Sequence, residues 1–361
     1  MRILFVDSGR SWRGGQYQVL NLGIELSNRG HEILLVCQRK SPLQLKWRER
    51  GLSGEAIRIR GDVDLKAWFR LTGILRAFEP SIVHAHSGHA HAVALAARFF
   101  HDVNALVVTR RVARPIERSF FNRMKYSRFV TQFVAISSFV AGTLAEAGVS
   151  PARISVIPSS VRTEESETEG SPLEKRLELG LSEKDFVVLN VGSLSKQKRQ
   201  ESILEVASIV SGKIPRVKFI VAGEGRLRAR LEKRAMELRV EHVVRFLGFR
   251  GDVPQLMRLA DVFIFPSESE GLGTSVLEAM AAGIPVVACR TGGVSEIVGD
   301  GVTGFLVEPE DVSSMAESVV RLAREPELAS DMGARAMVVA QNYSFARSCE
   351  SHEKLYKELV G

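Results

Sequence analysis

Cysteine is scarce. Cys37, Cys289 and Cys349 are the only three in 361 residues, and they stand far apart. That count and spacing exclude a disulfide framework and predict reduced thiols in a cytoplasmic setting. Long apolar runs are missing as well, and no stretch approaches the roughly 18 apolar residues of a membrane span. The opening MRILFVDSGR has a short apolar core at 3–6 ahead of Asp7, and it is not expected to be a signal peptide. There is no Walker A sequence and no G-x-G-x-x-G dinucleotide fingerprint. Low-complexity tracts and short-period repeats are absent too. What remains is 45% hydrophobic and 25% charged, the balance of a globular protein. The length favours two domains over one core.

The formal net charge of +7 is unevenly spread. Residues 1–160 hold 23 Lys/Arg against 11 Asp/Glu, whereas 161–361 hold 26 against 31. A basic first half should attract an anionic partner, such as a lipid surface or a phosphorylated acceptor. The clusters at 39–50 and 120–129 stand out. In the second, Phe120, Phe121 and Phe129 alternate with Arg123, Lys125 and Arg128, either as a membrane-seeking face or as core aromatics beneath solvated cations. Nucleic acid is the other polyanion to consider, but no aromatic-interleaved basic motif or DNA-reading element accompanies the charge.

Short apolar runs alternate with amphipathic segments. Strands are predicted at 3–7, 33–37, 81–86, 106–109, 130–136 and 154–157, then at 186–191, 217–222, 243–247, 262–265 and 284–288. Four to six apolar residues rich in Val and Ile, without polar alternation, mark buried parallel strands. Helices between them make βαβ crossovers and doubly wound sheets. The segment 159–172 (SSVRTEESETEGSP) holds four glutamates and almost nothing apolar, so it is expected to be a linker or exposed loop. Three consecutive helices are expected at the end, over 313–323, 327–340 and 345–359. Two such sheets facing a cleft would bring together the carboxyl ends of their strands, where such folds bind ligands.

The strongest motif is 267–288, SESEGLGTSVLEAMAAGIPVVA. It leaves a strand, turns through Gly271 and Gly273 and enters a helix near Thr274. Free N–H groups and the positive dipole end at such a start suit a diphosphate. Glu278 sits about one turn in, roughly 6 Å along the axis, where it can accept hydrogen bonds from ribose hydroxyls. Glu270, before the helix, would face the sugar. A second motif, VGSLSKQK at 191–198, also follows a strand and offers Lys198 as the cation that stabilises a departing diphosphate. Trp12–Arg13–Gly14–Gly15 places paired glycines at a helix start, although an ordinary βα turn reads the same way. His84, His86, His89 and His91 invite a metal reading, but no cysteine or nearby carboxylate accompanies them. His86, at a strand end, is an acceptor-side candidate. Asp62–Val63–Asp64 is read as a turn, and Gly223 and Gly225 as a tight turn or a donor border.

The run from Glu270 to Ala288 resembles the Glu-x₇-Glu signature of the retaining glycosyltransferases of family 4, and the resemblance extends to both ends of the chain. It implies an α/β fold of two Rossmann-like, doubly wound parallel-sheet domains. Residues 1–160 would form the acceptor side and 161–344 the nucleotide-sugar side, with a last helix, 345–361, packed back onto the first domain. It implies contacts from Glu270 to sugar hydroxyls, from Glu278 to the ribose, and from the main chain at Gly273, Thr274 and Ser275 to the diphosphate. Gly192, Leu194 and Lys198 match the family's second motif. Ser193 stands where an arginine is common in the phosphate-binding turn, and Lys196 or Arg199 is in reach to compensate. Gly15 would approach donor or acceptor, and Arg250 the nucleotide base. Arg110 and Arg111 occupy the neighbourhood of a histidine usual in the family, which points to an anionic group on donor or acceptor unless they are plain surface arginines. The implied activity is hexosyl transfer with retention from a UDP- or GDP-type sugar, without a metal or other cofactor. The implied acceptor is a glycan or glycolipid of cell-surface polysaccharide or lipopolysaccharide-type assembly, with the enzyme peripheral on the inner face of the membrane. The alternatives are a nucleotide-sugar epimerase or hydrolase of the same architecture and, more remotely, a nucleic-acid-binding protein.

Overall fold

The computed structural model describes residues 1–117, 119–126, 129–163 and 171–361, apart from the side chains of Phe120, Phe121 and Arg123. Thirteen strands form two sheets. The first contains β1 (Arg2–Asp7), β2 (Glu32–Gln38), β3 (Gly54–Ile57), β4 (Ile82–Ala85), β5 (Ala105–Arg110), β6 (Gln132–Ala135) and β7 (Ile154–Val156), in the order β3-β2-β1-β4-β5-β6-β7. The second contains β8 (Phe186–Val191), β9 (Val217–Ala222), β10 (Val244–Gly248), β11 (Val262–Phe265), β12 (Val286–Cys289) and β13 (Gly304–Val307), in the order β10-β9-β8-β11-β12-β13. All neighbouring strands are parallel, and β1 pairs with β4 from Ile3↔Ile82 to Val6↔Ala85. Such strands are covered on both faces, which is why their sequences run apolar without alternation.

The chain folds as two units. Val161–Ser344 forms one, and Met1–Ser160 together with Phe345–Gly361 forms the other. In each sheet the strand order reverses once, between β1 and β4 and between β8 and β11. In doubly wound sheets the ligand crevice lies outside the carboxyl ends of the strands at such a reversal.

The helix Phe345–Val360 belongs to the core of the first unit. Cys349, Leu355 and Tyr356 are buried with Ile3, Phe5, Val19 and Leu26. Each such apolar side chain contributes about 1.5–3 kcal/mol on burial. The Tyr356 hydroxyl lies 2.5 Å from His84 Nδ1, while His84 Nε2 lies 2.7 Å from Thr109 Oγ1. At the surface, Arg29 reaches Glu353 at 3.3 Å.

Two strands escaped the sequence pattern. β3 is a four-residue edge strand, GEAI, exposed along half its length, and β13 begins on glycine. β3 carries no continuous apolar run, and that of β13 is only the three residues 305–307. The segment 159–172 is also corrected where it is described. Ser159, Ser160 and Val161 are buried, and the Gln18 side chain satisfies both the N–H and the C=O of Ser160. Ser171 caps the helix Pro172–Glu178 through a capping box with Glu174. A composition average over 14 residues hides buried ends. Residues 164–170 lie outside the described residues.

Tyr356→Phe should leave Nδ1 of the fully buried His84 without a partner. The expected loss is about 1–3 kcal/mol of stability in the first unit. Urea unfolding monitored in that unit checks it; an unchanged midpoint would mean that the hydroxyl is not needed there.

Candidate functional site

In the second unit, close backbone approach sets the geometry. Gly223 has φ +147, and a Cβ on it would lie 1.9 Å from the carbonyl oxygen of Gly192. One on Gly225 would lie 2.1 Å from that of Leu194. These two glycines therefore let the loop after β9 press against the loop after β8, and Leu194 N–H donates to the Glu224 carbonyl at 2.9 Å. This explains the G-E-G sequence as packing that supports the neighbouring loop.

The loop after β8 meets the loop after β11. Lys198 Nζ lies 2.6 Å from Glu270 Oε1 and 4.6 Å from the centroid of the Phe265 ring. Buried Ser267 donates to the same carboxylate oxygen. Gln197 ties the loops through its main chain, accepting from Glu268 N–H at 2.9 Å, and through its amide, which donates to the Ser269 carbonyl. A third loop follows β12. There Gly293 N–H donates to the Glu270 carbonyl at 3.1 Å, and a Cβ on Gly292 would sit 2.1 Å from that oxygen. Ser267, Gln197 and the Gly292–Gly293 pair were not anticipated. The glycine pair, separated from the end of β12 by two residues, carried a readable signal, while Ser267 and Gln197 carried none.

Glu270 leads into the helix Thr274–Ala281. Its N-cap is Gly273, left-handed at φ +90, and no side chain caps it. Among the described residues no group accepts from the main-chain N–H of Thr274 or Ser275. That leaves donors and a positive dipole end open for an anion. Glu278 is half-buried on this helix, and its carboxyl has no hydrogen-bond or ion-pair partner among the described residues. Desolvation alone pushes its carboxyl up to about 7. The sequence-selected residues Lys198, Glu270, Gly273, Thr274, Ser275 and Glu278 therefore belong to two neighbouring loops and one helix. Ser193 is exposed, and its carbonyl accepts from Gln200 at 2.9 Å. Arg250 is committed elsewhere: it pairs with Asp252, also reaches Glu178 at 3.3 Å, and Asp252 is shared with Lys175. A base contact from its guanidinium would have to break that network.

The first unit has its own switch-point group. Ser8 N–H donates to Ser87 Oγ at 2.8 Å, joining the loops after β1 and β4. Asp7 is buried and accepts from Gly9 N–H at 2.7 Å and from Gln16 Nε2 at 3.2 Å. His86 is buried against Phe5 and His84, at ring separations of 4.6 and 4.0 Å, and neither ring nitrogen has a partner among the described residues. Burial first, and Arg111 second, hold its pKa well below the usual histidine range, so the ring is neutral. Arg111 Nη1 lies 3.5 Å from Ser159 Oγ, and its Nε is buried without a partner. Desolvation lowers this guanidinium to about 10, opposed by the charge of Asp7. Gly15 lies alongside, its Cβ position 3.6 Å from Arg111 Cδ. Arg110 is spent on the Tyr126 hydroxyl at 2.8 Å. Asp62, beside the helix-capping Asp64, pairs with His89 at 2.5 Å and Lys125 at 2.9 Å.

Of the cluster at 120–129, Lys125 is therefore already ion-paired. Phe129 is 40% exposed and packs on Phe99. Arg128 and the side chains of Phe120, Phe121 and Arg123 lie outside the described residues. Among the described residues, no three of His, Cys, Asp and Glu are grouped to hold a metal ion, and no helix is long and apolar enough to cross a membrane.

Residues 12–165 match the family described as Glycosyltransferase Family 4, and residues 173–338 the family described as Glycosyl transferases group 1. The chain is similar to N-acetyl-alpha-D-glucosaminyl L-malate synthase of Bacillus anthracis, 28% identical over 184 residues, covering 51% of this chain and 48% of that protein. It is also similar to the UDP-Gal:alpha-D-GlcNAc-diphosphoundecaprenol alpha-1,3-galactosyltransferase of Escherichia coli, 32% identical over 186 residues, covering 50% and 48%. The chain spans about half the length of these curated relatives. Among solved structures, Anabaena HepE in complex with UDP-glucose is 22% identical with a TM-score of 0.86, over 99% of this chain and 100% of that one. At that identity the likeness shows the fold.

The free Glu278 carboxyl makes a signed prediction. Its folded pKa of about 7 stands above its ordinary value of 4.5. The folded chain thus holds this proton more tightly than the unfolded chain does. The resulting stability is full below about pH 4.5 and is lost as pH rises through about 7. Glu278→Gln removes the penalty at high pH. The variant should melt above the wild type at about pH 8, with the gap closing toward about pH 5. Melting curves across that range check it, and a variant that melts lower at about pH 8 contradicts it.

Proposed function

We propose that this chain, a glycosyltransferase family 4 domain joined to a glycosyl transferases group 1 domain, transfers a hexosyl unit from a nucleotide diphosphate sugar to an acceptor hydroxyl, with retention at the anomeric carbon. One observation carries the reading. Lys198, the uncapped start of the helix Thr274–Ala281 and the unpaired Glu278 stand at the switch point of the second sheet. A cation, free N–H donors and a desolvated acceptor suit a diphosphate with a ribose beside it.

In this reading the bond from the anomeric carbon to the diphosphate oxygen breaks as negative charge grows on the diphosphate. Lys198 and the N–H groups of Thr274 and Ser275 stabilise that charge. The acceptor oxygen bonds to the same face of the sugar, and its proton passes to the departing diphosphate. Glu270, held by Lys198 and Ser267, accepts from sugar hydroxyls, and Glu278 accepts from ribose hydroxyls that relieve its desolvation. Neutral His86, with Arg111 and Gly15, serves the acceptor side, and Ser193 borders the diphosphate. Lys198 and the helix start neutralise the leaving group without a metal. HepE, solved with UDP-glucose, supports a UDP-type donor. The diphosphoundecaprenol in the name of the Escherichia coli relative supports a glycan or glycolipid acceptor of the kind used in cell-surface polysaccharide assembly.

The first unit is suited to an anionic membrane surface. Phe69, Phe99, Phe100 and Phe129 are 40–60% exposed and pair as Phe69–Phe100 at 5.2 Å and Phe99–Phe129 at 5.1 Å. Exposed aromatics on a unit with an excess of cations can enter a headgroup layer while the cations meet lipid phosphates.

Lys198→Ala should lower kcat/KM by about 100-fold or more, the size of losing one transition-state charge contact, with the fold intact. Transfer should survive EDTA. Kinetics with UDP-sugars and a defined acceptor decide both points; wild-type rates in the variant, or rescue by Mg²⁺ after chelation, would overturn them. Sugar nucleotide turnover with no acceptor present would instead favour an epimerase or hydrolase. Liposome sedimentation addresses the surface: anionic vesicles should retain the protein, added salt should release it, and Phe99→Ser with Phe129→Ser should weaken retention. Equal partitioning to neutral vesicles would remove the anionic membrane from this reading.

A further inference from the structure

The first unit contains a second electropositive feature, away from the residues used above. An open cavity of about 900 Å³ lies at the carboxyl ends of β2 and β3, lined by Arg10, Arg39, Lys40, Arg48, Arg58 and Arg70. None of these six makes an ion pair with a described residue. Several cations elsewhere in the chain do find carboxylates, as Arg176 finds Asp261 at 3.1 Å and Arg199 finds Glu310 at 2.7 Å. Here Glu55 is the one acidic residue in the lining.

The cavity floor is built rather than open. Gln38 is buried, and both ends of its amide engage Ile59: Oε1 accepts from the Ile59 N–H at 3.3 Å, and Nε2 donates to its carbonyl. Arg10 reaches that carbonyl too, at 3.4 Å. Arg39 N–H donates to the Ile57 carbonyl at 3.3 Å, which ties the end of β2 to the end of β3. Lys40 is left-handed at φ +59, a conformation costly for a side-chain-bearing residue, and its N–H is held by Gln44 Oε1 at 2.6 Å. Strain of this kind persists where the surroundings hold a residue in place, as they do at ligand sites.

We infer that this cavity is an anion site for a ligand carrying two or more phosphate groups. Six cations converging on one space repel one another until they are neutralised, and a single monoanion leaves most of that charge uncompensated. Arginine forks match phosphate oxygens in pairs. The ligand is a phosphorylated soluble compound or the diphosphate headgroup of a lipid, and the shared chemistry is the linked phosphates. Should the proposed transfer hold, such a group would anchor the acceptor; binding at the cavity does not itself depend on that.

The test is calorimetric titration of the full chain with inorganic pyrophosphate while saturating UDP occupies the donor site. Binding is expected, weakening about tenfold or more as salt rises from low to a few hundred millimolar. Arg58→Ser with Arg70→Ser, both exposed, should weaken it about tenfold or more with melting temperature and UDP affinity unchanged. Arg48→Gln is the second variant, read in the same way should the double change disturb folding. Orthophosphate should bind far more weakly. No heat with pyrophosphate, equal affinity for orthophosphate, or full affinity in a folded variant would overturn the inference. Neutral vesicles carrying a prenyl diphosphate separate the two sources. Co-sedimentation assigns the site to a lipid headgroup, whereas pyrophosphate binding without co-sedimentation assigns it to a soluble ligand. Because UDP binding is measured separately, failure of the donor reading and failure of this one give different results.

Discussion

The ion pair between Lys198 and Glu270 joins the loop after β8 to the loop after β11, and the arrangement of the second unit's crevice follows from it. A half-buried lysine and a buried glutamate 2.6 Å apart are poor agents of stability, because desolvating two charges offsets most of their attraction. Their value lies in placement. In the free protein each charge holds the other at the crevice, and Ser267 fixes the carboxylate from beneath. A growing negative charge nearby would draw on a cation already in position, with little reorganisation.

Holding those loops together requires backbone to touch backbone, and glycine is what permits it. At Gly223, Gly225, Gly292 and Gly293 the carbonyl oxygen of a neighbouring loop lies about 2 Å from where a Cβ would be. Any side chain at these positions would push apart the loops that carry Lys198 and Glu270. The conformational freedom these glycines lose on folding is the cost of that close packing. The same logic separates Gly15, whose Cβ position makes only an ordinary contact with Arg111, so packing in this structure does not demand its lack of a side chain.

The two units distribute charge differently. In the second, many cations are paired, as in the Arg250, Asp252, Glu178 and Lys175 network, and the candidate site leaves open the helix start at Gly273 and the carboxyl of Glu278. In the first, six cations gather without carboxylate partners around the ends of β2 and β3, while half-buried Arg111 is only partly satisfied. One unit offers a few defined donors; the other offers a field.

The alternating apolar runs determined the two parallel sheets, because strands covered on both faces must be apolar throughout. The run from Glu270 to Ala288 and the position of Lys198 after a strand were legible because a strand end followed by glycines and a helix start is a local pattern. β3 and β13 were not legible, since these short edge strands carry no apolar stretch or one of only three residues. Nor was the reach of Gln18 to Ser160, or of Tyr356 to His84, across 142 and 272 residues. The commitment of Arg250 and Lys125 to carboxylates, the support of Glu270 by Ser267, and the gathering of six unpaired cations from three separate segments were decided only in three dimensions. Local sequence determines where a strand ends and a helix begins; which charges find partners depends on segments that the fold alone brings within a few ångströms.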